Sequence, residues 1–141
     1  MILPITLTMA GAAAIINIWL AVRVGQVRTS EKVSIGDGGN DRVIRRMRAH
    51  ANFTEFTPFV LILVGVIELA VGTSIWLWLV AGVYLLGRIA HPLGMEGQNK
   101  GRMVGTMLTM LILLGLGIYA ICIPYFALAP VEASPMQLPA G

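Results

Sequence analysis

A set of polar side chains at the start of an otherwise apolar segment carries the strongest chemical signal in the sequence. Arg45, Arg48, Asn52 and Glu55 follow one another at intervals of three or four positions, so on a helix they share one face. The set continues into an apolar run, where exposure of such groups to lipid is unfavourable. We therefore expect this face to meet protein, water or a bound polar ligand.

The types of these side chains indicate what such a ligand would be. Arginine exceeds acid here, and guanidinium groups match the geometry of carboxylates, which predicts an anionic ligand. Glu55 offers a partner for an amine, and Asn52 can both donate and accept hydrogen bonds. A zwitterionic peptide with two carboxylates fits this set. The alternative is a structural network, in which Arg48 and Glu55 pair with each other or with Arg88 and Arg102 on neighbouring helices.

Metal chemistry and cysteine chemistry are not indicated. His50 and His91 each lack a second histidine at three- or four-residue spacing, so we predict no metal site. Cys122 is the only cysteine and lies in an apolar run, which excludes a disulfide framework within one chain.

Composition defines the class of protein. The chain has 141 residues, of which 57% are hydrophobic and 12% charged, and its mean hydropathy is +0.81. Soluble domains carry about twice this share of charge, so the sequence predicts a membrane protein. The formal net charge of +3 does not indicate nucleic acid as a partner, because no basic face is interleaved with aromatic residues in a polar segment.

Four segments are long enough to cross a hydrocarbon core of about 30 Å as helices. Polar or glycine-containing connections separate them at 26–41, 72–74 and 94–101, with Asp41 as an expected N-cap and Glu68 as a residue that can reach the far interface. We predict an all-α integral membrane four-helix bundle with up-down-up-down topology, a single domain over 1–128 and a flexible tail over 129–141. The predicted spans are Ile2–Val24, Asp41–Val71, Ser74–Leu93 and Arg102–Phe126.

The distribution of positive charge predicts the orientation. All ten Lys and Arg residues lie around the first or the second polar loop, and the termini and the short connector carry none. By the positive-inside rule both polar loops are cytoplasmic and both termini lie outside. This explains the basic composition without a nucleic-acid partner.

Three stretches carry a resemblance to a known family. The run RRMRAHANFTE from Arg45 to Glu55, continuing to Pro58-Phe59, resembles the second-helix signature of the MAPEG family, the membrane-associated proteins in eicosanoid and glutathione metabolism. Gly25-Gln26-Val27-Arg28 and the run from Gly87 to His91 are also similar to that family. The resemblance covers Ile2 to Phe126 and leaves out the tail.

The resemblance implies a homotrimer with glutathione as co-substrate, held between neighbouring subunits at the cytoplasmic side. Arg102 would be catalytic, because a guanidinium near a thiol lowers its pKa from about 8.5 and supplies thiolate at neutral pH. Some members carry a tyrosine one turn after the position of His91, where this sequence has Met95. Carried over by position, the glutathione-binding residues would be Arg28, Arg48, Asn52, Glu55, Arg88 and His91.

The expected activity is that of a membrane-bound glutathione transferase for detoxification, similar to the bacterial microsomal-type enzymes. Its partners would be the other subunits, membrane lipids and a lipophilic electrophile that arrives from the bilayer, and its location would be the bacterial inner membrane. One alternative is a glutathione-dependent lipid hydroperoxide peroxidase. The other is a non-catalytic membrane protein whose Arg/Glu network is structural or binds lipid phosphates.

Overall fold

The computed structural model of the chain describes residues 2–97 and 99–127, with positions 99 and 127 described by their backbone alone. The described residues form four α-helices, each long and apolar enough to cross a membrane. This confirms the predicted all-α class and the four spans, whereas the predicted tail lies outside the described residues. The helices are α1 (Pro4–Ser30), α2 (Asp41–Val71), α3 (Ile75–Glu96) and α4 (Asn99–Ala127).

The second helix is longer than a membrane span requires. At 1.5 Å per residue α2 is about 46 Å long, whereas a hydrocarbon core is about 30 Å thick. Its apolar residues from Phe56 onward fill most of one span, so the excess length falls on the polar turns between Arg42 and Glu55. The candidate ligand-binding face therefore belongs to a continuous helix that also passes through the core of the bundle.

The helix α2 starts at Asp41 as predicted, but its N-cap differs by one residue from the prediction. Asn40, not Asp41, is the N-cap, and its Oδ1 accepts hydrogen bonds from the backbone N–H groups of Arg42 and Val43 at 2.9 and 3.2 Å. Asp41 instead lies in the first turn, where its carboxylate interacts favourably with the helix dipole. Either residue type suits the position, so the sequence alone did not separate them.

The two polar connections are shorter than the sequence predicted, whereas the connector over 72–74 lies where it was predicted. Because α1 continues to Ser30, Arg28 lies on the helix rather than in a loop. The predicted loop over 94–101 is wrong for most of its length, since α3 runs to Glu96 and α4 starts at Asn99. Gly94 and Gly101, which were interpreted as loop residues, are packing positions inside these two helices.

Close backbone contact between α3 and α4 explains this difference. A Cβ atom on Gly94 would collide with the backbone of Gly101 and Arg102, and one on Gly105 would lie 2.7 Å from both Gly87 O and the Cβ of His91. Small residues at such positions let two helices approach without a side chain between them. The pair α3 and α4 accordingly shares the most extensive contact in the bundle.

The interior divides into two hydrophobic clusters. The larger one lies towards the start of α1 and the end of α2, and the smaller one surrounds Phe53 beside α1. A hydrogen bond of 2.9 Å between the hydroxyl groups of Thr57 and Tyr84 joins α2 to α3 inside the bundle. The larger cluster consists of Ile5, Met9, Val60, Val64, Ile67, Leu77, Ala81, Tyr84 and Leu116.

Glu68 turns inward, which corrects the prediction that it reaches the interface. It is 1% exposed, and its carboxylate accepts hydrogen bonds from the backbone N–H groups of Ile5 and Thr6 at 3.0 and 2.8 Å. The hydroxyl groups of Thr6 and Thr73 donate to it at 2.7 and 2.9 Å. Leu3 stands at the N-cap of α1 and offers no capping side chain, so Glu68 satisfies these N–H groups from another helix.

Candidate functional site

The ends of three helices meet at one acidic residue. Glu96, the last residue of α3, forms ion pairs with Arg23 near the end of α1 and with Arg46 in the first turns of α2. Arg46 also donates from Nη1 to the backbone oxygen of Arg23 at 2.8 Å. These contacts fix the basic end of the bundle, where the candidate site residues lie.

Asn52 forms a direct hydrogen bond to another candidate residue. Its Oδ1 accepts a hydrogen bond of 2.9 Å from Nη1 of Arg88 on α3. The same nitrogen donates to Oγ1 of Thr109 on α4 at 3.2 Å. The guanidinium carbon of Arg88 lies 5.5 Å from the centre of the Phe53 ring, within the range of a cation–π contact. Three helices therefore converge on this one guanidinium.

Arg88 and His91 are buried inside the subunit. Arg88 is 1% exposed and His91 is 4% exposed. Among the described residues Arg88 forms no ion pair, and its Nε and Nη2 atoms and Nδ1 of His91 have no hydrogen-bond partner. A buried guanidinium without a carboxylate partner is unfavourable to folding, so packing alone does not account for it.

Arg48 and Glu55, which flank Asn52 on the same helical face, are exposed. Within the described part of the chain neither belongs to an ion pair, so the structure does not support the alternative in which they form an internal salt bridge. Glu55 lies at one end of an apolar groove between α2 and α4. The groove is lined by Glu55, Phe56, Phe59, Ile62, Leu63, Leu113 and Gly117.

The two remaining candidates lie on α1 and α4. Arg28 is half-buried and donates from Nη2 to the sulfur of Met47 at 3.5 Å. Arg102 is exposed in the first turns of α4, where the close contact of its backbone with Gly94 fixes the position of its Cα relative to α3. Of the seven predicted site residues, the structure thus joins Asn52 and Arg88 directly and leaves Arg48, Glu55 and Arg102 open to the surroundings.

Comparison with known families matches residues 6–122 to the MAPEG family. The chain belongs to the MAPEG family. The match extends from the first turn of α1 to the last turns of α4 and includes every predicted site residue. No curated protein matches the chain significantly. Family membership and the four apolar helices together make this an integral membrane protein related to glutathione or eicosanoid metabolism.

Three residues of this MAPEG protein contact charged groups at the basic end of the bundle but were not predicted as site residues. Thr109 was not predicted as a site residue, and Arg46 contributed only to the predicted orientation, yet both hold charged groups in place. Glu96 was assigned to a loop. A signal for Glu96 was present, because it is the only acidic residue between Glu68 and Glu132 and it stands among arginines.

The two histidines of this MAPEG protein lie in different environments, since His91 is buried with an unpartnered Nδ1 and His50 is hydrogen-bonded. His50 forms a hydrogen bond of 2.8 Å between its Nε2 and Oδ1 of Asn17, which joins α1 to α2. The described residues contain no group of three or more His, Cys, Asp or Glu side chains that could hold a metal ion. The chemistry available at the site is that of arginines, an amide and a carboxylate.

Proposed function

We propose that this MAPEG protein is a membrane-bound glutathione transferase that conjugates the glutathione thiolate to lipophilic electrophiles. The observation that carries the proposal is the face of α2 on which Arg48 and Glu55 are exposed and Asn52 is held between them by Arg88. In the reaction the thiolate sulfur forms a bond to an electrophilic carbon. A leaving group departs with its electron pair, or a proton from water completes an addition.

The charges of this face match the charges of glutathione. Glutathione carries two carboxylates and one ammonium group, which Arg48 and Glu55 can bind while Asn52 contacts the peptide. Arg28 would add a second arginine from α1, whereas the buried Arg88 and His91 would support the site from inside the subunit. A face this polar needs a cover in a bilayer. We propose that a neighbouring subunit of a homotrimer supplies it, so that glutathione lies between subunits.

Arg102 would activate the thiol. A guanidinium stays protonated throughout the physiological range and cannot act as a base, so its contribution is electrostatic stabilisation of the thiolate. Arg102 lies in the first turns of α4, where the partial positive charge of the helix N-terminus acts in the same direction. Met95 offers no hydroxyl group to share this work, so activation would depend on the arginine.

The groove between α2 and α4 is a route for the electrophile. It is apolar along most of its length and ends at Glu55 of the proposed glutathione site. A lipophilic molecule dissolved in the bilayer could enter from the side and reach the thiolate without crossing water. This supports a lipophilic substrate class over a water-soluble one.

The proposed arrangement in the membrane is an up-down-up-down bundle in the bacterial inner membrane. Both polar connections, and with them the glutathione site, would face the cytoplasm, and both termini would lie outside. The basis is the clustering of every Lys and Arg around these two connections.

Thiolate formation tests the activation step. Titration of the purified protein with glutathione at pH 7 should produce the ultraviolet absorbance of a thiolate. Arg102→Gln should reduce this signal to the few per cent of thiolate expected of a thiol with a pKa of about 8.5. When the pH is varied at saturating glutathione, the midpoint of thiolate formation should lie at higher pH in the variant than in the wild type. The control is Lys100→Gln, which removes an exposed positive charge from the same turn of α4 and should leave the signal unchanged.

Assays on the same preparation distinguish the proposed transferase from the two alternative functions. If wild-type protein binds no glutathione, the non-catalytic alternative replaces the proposal. If glutathione binds and the protein reduces a lipid hydroperoxide but conjugates no aromatic electrophile, the activity is that of a peroxidase.

A further inference from the structure

We infer that Arg88 is a positioning residue, which orients the side-chain amide of Asn52 so that its NH2 group faces the ligand. The inference rests on the proposed function and deepens it. It assigns Asn52 the role of a hydrogen-bond donor to a carbonyl or carboxylate oxygen of the peptide ligand. Arg88 then acts through Asn52 and makes no ligand contact of its own.

The chemistry of the contact fixes the orientation of the amide. A guanidinium group has five N–H donors and no acceptor. The Asn52 atom that lies 2.9 Å from Nη1 of Arg88 is therefore the amide oxygen, Oδ1. The flipped amide would place its NH2 group against the guanidinium N–H, two donors facing each other in a buried place. Hence the NH2 group of Asn52 points away from Arg88.

Arg88 is itself held so that it cannot adapt to a flipped amide. Thr109 donates its hydroxyl hydrogen to the backbone oxygen of Gly105 at 2.8 Å, which leaves a lone pair of Oγ1 for Nη1 of Arg88 at 3.2 Å. The ring of Phe53 lies beside the guanidinium. Because these partners come from α2 and α4, rotation of the guanidinium would break contacts on two helices.

Burial separates Arg88 from the ligand and leaves Asn52 between them. Arg88 is 1% exposed, whereas Asn52 is half-buried and its neighbours on the same face, Arg48 and Glu55, are exposed. The hydrogen bonds of the described residues leave Nδ2 of Asn52 without a partner. A charged donor on its oxygen polarises the amide and makes its N–H groups stronger donors. Arg88 thus strengthens the hydrogen bonds that Asn52 donates to the ligand, although Arg88 does not contact the ligand itself.

Two substitutions of Arg88 test this. Lysine carries only donors, so Arg88→Lys should keep the amide orientation and the KM for glutathione within about threefold of wild type. Glutamine can donate or accept, so Arg88→Gln no longer fixes the amide, and the KM should rise about tenfold, the effect of one lost hydrogen bond. In both variants kcat should change little, because thiol activation belongs to another residue.

Asn52→Asp provides a second test that keeps the Arg88 contact. A carboxylate accepts from Arg88 at least as well as the amide does, so the thermal unfolding midpoint should not fall. It presents only acceptors to the ligand, however, so the KM for glutathione should rise more than tenfold. The matched structural control is Thr57→Val, which breaks the buried hydrogen bond to Tyr84. It should lower the unfolding midpoint and leave the KM unchanged.

If Arg88 has a purely structural role, the KM of the glutamine variant will not exceed that of the lysine variant. Neutral glutamine would then be tolerated in the buried position at least as well as charged lysine, and the KM of each variant would follow its unfolding midpoint. That result, or an unchanged KM in Asn52→Asp, overturns the inference while leaving glutathione binding intact. Wild-type protein that binds no glutathione contradicts the proposed function itself, and this inference with it.

Discussion

Nη2 of Arg23 lies 2.5 Å from Oε2 of Glu96 and joins the end of α1 to the end of α3. The other carboxylate oxygen pairs with Arg46, so one acidic side chain connects three helices. The side chain of Glu96 is 35% exposed and those of Arg23 and Arg46 are 15% and 21% exposed. This partial burial makes the network stronger than an isolated surface pair, although water still screens it.

Neutralising Glu96 should therefore loosen the basic end of the bundle. We expect Glu96→Gln to lower the free energy of unfolding by about 1 kcal/mol, the upper range for partly exposed ion pairs. Chemical denaturation in detergent micelles measures this. The control is Arg42→Gln, which breaks the pair of Glu31 with an arginine whose side chain is 65% exposed and keeps the hydrogen bond from Asn40 to Glu31, so it should change stability by less than about 0.5 kcal/mol. Equal losses in both variants would contradict a special role for Glu96.

The backbone contact between α3 and α4 should tolerate no side chain. Gly94→Ala places a methyl group against the backbone of Gly101 and Arg102, and we expect it to destabilise the fold by about 3 kcal/mol or more. Gly82→Ala is the control, because it lies in the same helix with open space around its Cβ position. It should be neutral or stabilise by up to about 1 kcal/mol, since alanine favours helix. Thermal unfolding separates the two.

A large side chain at a glycine that lines the proposed electrophile route should weaken binding of the electrophile. Gly117 lines the groove between α2 and α4, and Gly115 lines a different groove between α3 and α4, while a Cβ on either would meet open space. We expect Gly117→Leu to raise the KM for a bulky lipophilic electrophile at least about fivefold, because the side chain occupies the groove. Gly115→Leu should leave it unchanged. Equal KM values in steady-state assays would place the electrophile elsewhere.

Substitution of the two glutamates of α2 should have different effects, one on stability and the other on glutathione binding. Glu68→Gln leaves one acceptor oxygen for four donors, so we expect a loss of about 1 to 2 kcal/mol in unfolding free energy with an unchanged KM for glutathione. Glu55→Gln removes an exposed charge, so stability should stay the same while the KM rises about tenfold. Denaturation and steady-state kinetics on both variants test this pair, and a loss of binding in Glu68→Gln would contradict the assignment.

Sequence patterns predicted the helices well and their ends less well. Apolar runs of span length identified all four helices, because a bilayer imposes a strict length. The segment 94–101 was misassigned because its glycines are typical of loops by local preference, whereas a neighbouring helix selects them for close packing. Glu68 was misplaced for the same kind of reason. Its partners are Ile5 and Thr6, more than 60 positions away, and no local pattern reports them.

For the site, sequence spacing placed Arg48, Asn52 and Glu55 on one helical face, and the structure keeps that face. Sequence spacing could not show that Asn52 is turned towards Arg88, because that contact spans two helices and depends on Thr109 of a third. The positions of Arg48 and Glu55 relative to a ligand remain predictions, which the variants above test.

The cap that Glu68 provides also makes the start of α1 depend on the end of α2. The first helix exposes unpaired N–H groups at its start, and the carboxylate that satisfies them lies near the end of the second helix. No side chain of α1 itself caps these groups, so the start of α1 is fully paired only when the end of α2 packs against it. The smallest part of the bundle in which this helix end is satisfied is therefore the pair α1 and α2.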